Sequence, residues 1–133
     1  MPKIIVVVFL IIAAFALLSL VSGASYLETM LPGGLPLGNA LTAIGLCATA
    51  GSAVGLSARH TALRLVSVAS LFGAAAWLPA SIALAGNLTL NFDGARGVAW
   101  LALSIAIAVT VLGALVWALA AALLARYRRA RAA

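Results

Sequence analysis

The chain has 133 residues, of which 66% are hydrophobic and 8% charged, against roughly 45–50% and about 25% in an average soluble domain. At a mean hydropathy of +1.27, a body this small has too much surface to keep its apolar side chains from water, which excludes a soluble domain and makes lipid the solvent. Eight basic and two acidic residues set the net charge at +6, and the single cysteine and single histidine exclude an intrachain disulfide and argue against a self-contained zinc or haem site.

A helix needs about 20 apolar residues to cross a hydrocarbon core of about 30 Å. Four runs have that length: Lys3 to Gly23, Gly38 to Ser57, Thr61 to Ala85 and Val98 to Leu124. What remains is short connections and a basic tail over 125–133, so the expected architecture is a single membrane domain. It is an all-α integral membrane protein, an up-down bundle of four transmembrane helices with short loops. Lys3, Arg59, Arg64, Arg126, Arg128, Arg129 and Arg131 fall on one side of that meander, and Glu28, Asp93 and Arg96 on the other. Basic residues collect in short cytoplasmic segments. The expected orientation therefore has both termini cytoplasmic, in a bacterial inner membrane.

The first run carries Lys3, a long apolar stretch and then Ser22-Gly23-Ala24, which is also the outline of a signal peptide. Ile4 to Val21 exceeds the usual apolar core of about 7–15 residues in such a peptide, so it is read as a retained helix. Cleavage would leave three helices and the same orientation. Ile4 to Ile12 is wholly large and mostly branched, which implies much surface turned toward lipid or a larger partner.

In the second run, 13 of 20 residues are Gly, Ala, Ser or Thr. Ala43, Gly51 and Gly55 share one row with Cys47 between them, and small residues four apart let backbones approach closely. This run is expected to be the most deeply buried helix, with Thr42, Thr49 and Ser52 bonding across helices or back to their own carbonyls. A path for a substrate along this row is the rival reading. Cys47 is expected to pack as a small apolar side chain.

In the third run Trp77 lies well inside the span, just before Pro79, which removes a helical hydrogen bond and predicts a kink. In the fourth, Ala102, Ala106, Thr110, Ala114, Ala118 and Ala122 recur every fourth position. Such a row drifts round the helix and predicts an inclined groove for a crossing partner. Trp100 and Trp117 bracket this span about 25 Å apart along the axis, the placement of two interfacial anchors.

The connection from Ala24 to Leu37 mixes Tyr26, Leu27, Met30 and Leu31 with Glu28 and Pro32-Gly33-Gly34, suiting a loop at headgroup level. From Gly86 to Arg96, Leu88, Leu90 and Phe92 alternate with polar residues, a short strand-like pattern closed by Asp93-Gly94. Asn87-Leu88-Thr89 also fits a glycosylation sequon, a short and common pattern that carries no weight in an alanine-rich chain of bacterial character. The tail Arg126-Tyr127-Arg128-Arg129-Ala130-Arg131 suits contact with anionic lipid headgroups. Nucleic-acid binding needs a larger basic surface.

Away from their ends the four runs contain no Asp, Glu or Lys, and Arg64 lies within about one turn of the cytoplasmic end. Ion-driven transporters keep such a group within the membrane, so a proton-coupled exporter is disfavoured. Glu28 and Asp93 are the only carboxylates; an acid and base pair on the outer loops is conceivable, as in a lipid-modifying enzyme, but solvation explains both. His60 lacks an acid to orient it and reads as a solvated turn residue. No catalytic, cofactor or metal residues are assigned. Dense packing signal with absent chemistry points to a small accessory or assembly subunit docking by its small-residue faces on a larger membrane protein. The rival is a homo-oligomeric transporter, flippase component or holin-like pore for a neutral or lipid-like molecule.

Overall fold

The computed structural model describes residues 3–57 and 61–132. Arg59 and His60 lie outside them, and with them the tight inner turn expected between the second and third runs. Among the described residues there are four α-helices: α1 (Lys3–Ser22), α2 (Leu37–Leu56), α3 (Thr61–Ala85) and α4 (Ala95–Ala132). All four are long and apolar enough to cross a membrane, which is the architecture of a multi-pass membrane protein. The stretch read as a basic tail is helical: α4 continues through it, and its 38 residues extend about 57 Å, well beyond one hydrocarbon core.

α2 is the central element and packs against α1, α3 and α4. Its buried residues Ala48, Ala50, Gly51, Ser52 and Ala53 are nearly consecutive, and at about 100° per residue they cover its whole circumference. Small side chains make this possible, because three neighbours fit round one helix only where little projects from it. The hydroxyls do not bridge helices. Thr42 donates to the Gly38 carbonyl at 2.8 Å, Thr49 to Gly45 at 2.7 Å and Ser52 to Ala48 at 2.9 Å, so each polar group is satisfied within its own helix.

α1 rests on α2, antiparallel to it. Ala16 faces Gly45 and Phe9 lies over Gly51: a Cβ at Gly45 would stand 2.9 Å from the Ala16 Cβ, and one at Gly51 2.8 Å from the Phe9 ring. Only Val6, Ala16 and Ser19 of α1 are buried, so most of its large apolar side chains face outward. The helix ends at Gly23, whose φ of 59° is the left-handed cap conformation that glycine adopts without strain.

α3 buries Leu63, Ser67, Ser70, Ala74, Trp77 and Ser81, alternately four and three residues apart. That is the 3.5-residue spacing of helices packed at a shallow left-handed angle. α4 answers with Val111, Ala114 and Ala118, all buried, and with Ile107 packed beside them. Leu63 meets Ala114 and Ala118 together with Ala53 of α2. Further along, Ala74 meets Val111 and Ala50. The helix runs through Pro79 without a break, although proline leaves the Ala75 carbonyl without its backbone donor.

The connections from α1 to α2 and from α3 to α4 are held by hydrogen bonds of their own. After α1 a 3-10 turn, Ser25–Glu28, leads into the Pro32-Gly33-Gly34 turn, where Gly33 and Gly34 have φ of 99° and 87°. Backbone bonds from Leu31 to Leu35 and from Leu37 to Thr29, both 2.9 Å, tie its arms together. Between α3 and α4 the alternation of Leu88, Leu90 and Phe92 does not form a strand. Asn87 collects the loop instead: its Nδ2 donates to the carbonyls of Ala85 and Asn91 at 3.1 and 3.2 Å, while its Oδ1 accepts from Thr89 Oγ1 at 2.9 Å and the Asn91 amide at 3.0 Å. One side chain thus holds the turn together, bonding the Ala85 carbonyl and both backbone groups of Asn91 with no partner strand. Asn87→Ala should therefore loosen this loop by about 1–3 kcal/mol, read as faster amide exchange over residues 88–92 with unchanged exchange in α2.

Candidate functional site

Two tryptophans hold α3 to α4. Trp77 and Ser81 stand four apart on α3, and Trp100 and Ser104 four apart on α4. Because the helices are antiparallel, each indole reaches the serine of the other: Trp77 Nε1 donates to Ser104 Oγ at 2.9 Å and Trp100 Nε1 to Ser81 Oγ at 3.0 Å. The pair brackets Pro79. Trp77 is buried, at 3% exposure. Trp100 also stacks on Phe92, with ring centroids 4.8 Å apart and planes 24° from parallel, so it ties the outer loop to the bundle. Its role is internal bonding in addition to the anchoring expected from its position. Trp117 differs, with 52% of its surface exposed.

The small residues singled out in the sequence separate into distinct surroundings. Gly51 is spent inside the bundle, under Phe9. With Ala43 and Cys47 it also lines an open recess of about 460 Å³ between α1, α2 and α3, whose other walls include Phe9, Ile12, Leu71 and Pro79. Every side chain named there is apolar or a thiol, which suits an apolar guest and offers nothing to an ion. Gly55 lies away from this recess, in a groove between α1 and α4.

On α4 the row of every fourth residue crosses the buried seam only at Ala114 and Ala118. Ala102, Ala106 and Thr110 are exposed. They drift off the seam because the buried spacing is 3.5 and theirs is 4. Ala106 and Thr110 face Ala69 and Gly73 of α3 across a notch of about 160 Å³. The Thr110 hydroxyl donates to the Ala106 carbonyl at 2.7 Å, so the notch presents no unsatisfied hydroxyl.

Arg126, Arg128, Arg129 and Arg131 are all exposed on the last turns of α4, and the Arg131 guanidinium lies 4.5 Å above the Tyr127 ring, a cation–π contact. Glu28 and Asp93 are exposed on separate loops. The sequence reading missed both Trp–Ser bonds. The signal for them was a Trp-x-x-x-Ser repeat on two helices joined by a short connection. Compared with known proteins, the chain matches no family model, no curated protein and no solved structure. The fold is a bundle of four helices long and apolar enough to cross a membrane, with an apolar recess between α1, α2 and α3 and a groove between α1 and α4 that also carries Lys3, Arg126 and Arg129.

Proposed function

We propose that this chain is a non-catalytic accessory or assembly subunit of a bacterial inner-membrane complex, oriented with both termini cytoplasmic. It docks on a helix of a larger membrane protein through the notch between α3 and α4. One observation carries the reading: Ala69, Gly73, Ala106 and Thr110 form an exposed small-residue recess on the α3–α4 face, while Ala48, Ala50, Gly51, Ser52 and Ala53 of α2 are buried within the chain. Association of helices in lipid is driven by close packing, and a partner helix gains it only where such a recess stays open. Phe72, 73% exposed, stands beside the notch as a ridge for the partner to pack against.

Native mass spectrometry of the protein extracted from its own membrane tests this. The expected result is a fixed-ratio complex with a larger, unrelated chain, lost when Gly73→Leu and Ala106→Leu fill the notch together. A filled notch that leaves the complex intact would overturn the docking surface. A second reading, a homo-oligomeric path for a neutral or lipid-like molecule, is favoured by the apolar recess between α1, α2 and α3. A homo-oligomer with no other protein in the same spectrum would move the assignment to it.

A further inference from the structure

The end of the molecule that carries Lys3 and the arginines of the α4 C-terminus holds the groove noted above. α1 packs on α2, and α4 packs on α2 and α3, which leaves a groove of about 540 Å³ between α1 and α4. That volume falls in the usual range of ligand sites, about 300–1,000 Å³. Its walls are Val7 and Leu10 of α1 and Leu119 and Leu123 of α4, over Gly55 of α2. Lys3 lines it from α1, and Arg126 and Arg129 line it from α4.

The grading along both walls follows from the sequence spacing. Lys3, Val7 and Leu10 stand at i, i+4 and i+7, one face of a helix. Leu119, Leu123 and Arg126 do the same on α4. Since α1 and α4 enter this end from opposite chain directions, the three cations gather at one mouth and the leucines and valine form the depth. Arg128 and Arg131 do not line the groove, and Arg131 is occupied over Tyr127.

We propose that this groove binds one anionic phospholipid, its phosphate held between Lys3, Arg126 and Arg129 and an acyl chain lying along Val7, Leu10, Leu119 and Leu123. Guanidinium groups take phosphate oxygens through paired N–H donors, and lysine adds a compact charge. A soluble anion would leave the apolar depth unfilled, whereas a phospholipid matches both ends of the groove. The inference rests on the membrane setting proposed above, and it is independent of the docking notch on the α3–α4 face.

The test is lipid retention by the full chain in mild detergent, measured by native mass spectrometry with dioleoyl phosphatidylglycerol or dioleoyl phosphatidylcholine added at equal concentration. Phosphatidylglycerol should remain bound in preference to phosphatidylcholine. Arg126→Ala with Arg129→Ala should weaken it about 25-fold, at roughly fivefold per basic group near a lipid surface. Arg128→Ala with Arg131→Ala removes the same charge and should leave the preference in place. Leu123→Trp, which fills the groove and spares every cation, should also weaken retention; elution in size exclusion reports that each variant is folded. Equal loss in the two arginine pairs, no preference over phosphatidylcholine, or retention undisturbed by Leu123→Trp would each overturn the proposal. Displacement of the lipid by inorganic phosphate at matched concentration would overturn it in favour of a simple anion site. Micelles have no sides, so the outcome does not depend on orientation; failure of the two-termini-in topology would be seen separately, by labelling cysteines placed near each terminus from either side of the membrane.

Discussion

Trp77→Ala should destabilise the bundle by about 3–5 kcal/mol, the range for truncating a buried aromatic side chain. The indole is almost wholly buried, its ring fills the α3–α4 seam next to Pro79, and its N–H bonds Ser104 on the facing helix. Trp77→Phe separates the two contributions: it keeps most of the packing and drops the hydrogen bond, so the expected cost falls to about 1 kcal/mol, as for interhelical hydrogen bonds in membranes generally. Ser104→Ala should cost a similar amount. In the double variant Trp77→Phe with Ser104→Ala the losses should not add, because both remove the same bond. Reversible unfolding in mixed micelles with increasing denaturing detergent is the measurement, and additive losses would show that the bond contributes nothing beyond shape. Trp100→Phe provides a comparison. Its bond to Ser81 is of the same kind, but its ring is less deeply enclosed and its stacking on Phe92 is retained by phenylalanine. It should cost less than Trp77→Phe and should show instead as greater exchange in the 86–94 loop.

Four long apolar helices were legible in the sequence because the signal is local: each run has the length and hydropathy to span, whatever it packs against. The central place of α2 was legible too, since small side chains let several neighbouring helices approach it closely. The α3–α4 seam was not read, although Leu63, Ser67, Ser70, Ala74, Trp77 and Ser81 carry its 3.5-residue period in plain order. In a water-soluble helix such a period stands out as apolar against polar. Here every face is apolar, and the inward positions differ in size, with serine and alanine marking them. The row of small residues at a fixed spacing of four therefore runs through exposed Ala102, Ala106 and Thr110 and meets the seam only at Ala114 and Ala118. The loop between α3 and α4 carries a strand-like alternation within an expected all-α chain, and the structure shows why it forms no strand. Alternating side chains imply a strand only when a partner strand is present to take the backbone bonds, and here the loop closes instead on Asn87, which bonds Ala85 and Asn91. Neither of the two larger recesses could be read from one segment, since each is formed by three helices that meet only in the fold.

Gly45→Leu should lift α1 from α2. A Cβ at position 45 would lie 2.9 Å from the Ala16 Cβ, and a methyl carbon fixed to a helix backbone cannot rotate away. Gly51 is more forgiving by comparison, because the atoms nearest its absent Cβ belong to the ring of Phe9, which moves about its own side-chain torsions. The consequence at Gly45 is large because α1 has a single helical support. It packs on α2, has three buried residues, and presents most of its large apolar side chains outward. Spin labels on exposed Ile4 of α1 and Leu65 of α3, in a chain with Cys47→Ser, measure the result as a longer and broader distance distribution than the native sequence gives. Gly45→Ala alone should produce a smaller shift of the same sign, at a cost of about 1–3 kcal/mol for overpacking. Ala16→Gly restores the missing space from the other side, so Gly45→Ala with Ala16→Gly should return the native distance. An unmoved α1 in Gly45→Leu would mean that α1 is held by something other than this approach. Displacement in Gly45→Leu should also widen the recess between α1, α2 and α3 and the groove between α1 and α4. Phosphatidylglycerol retention should then fall together with the spin-label distance, although residue 45 lines neither recess.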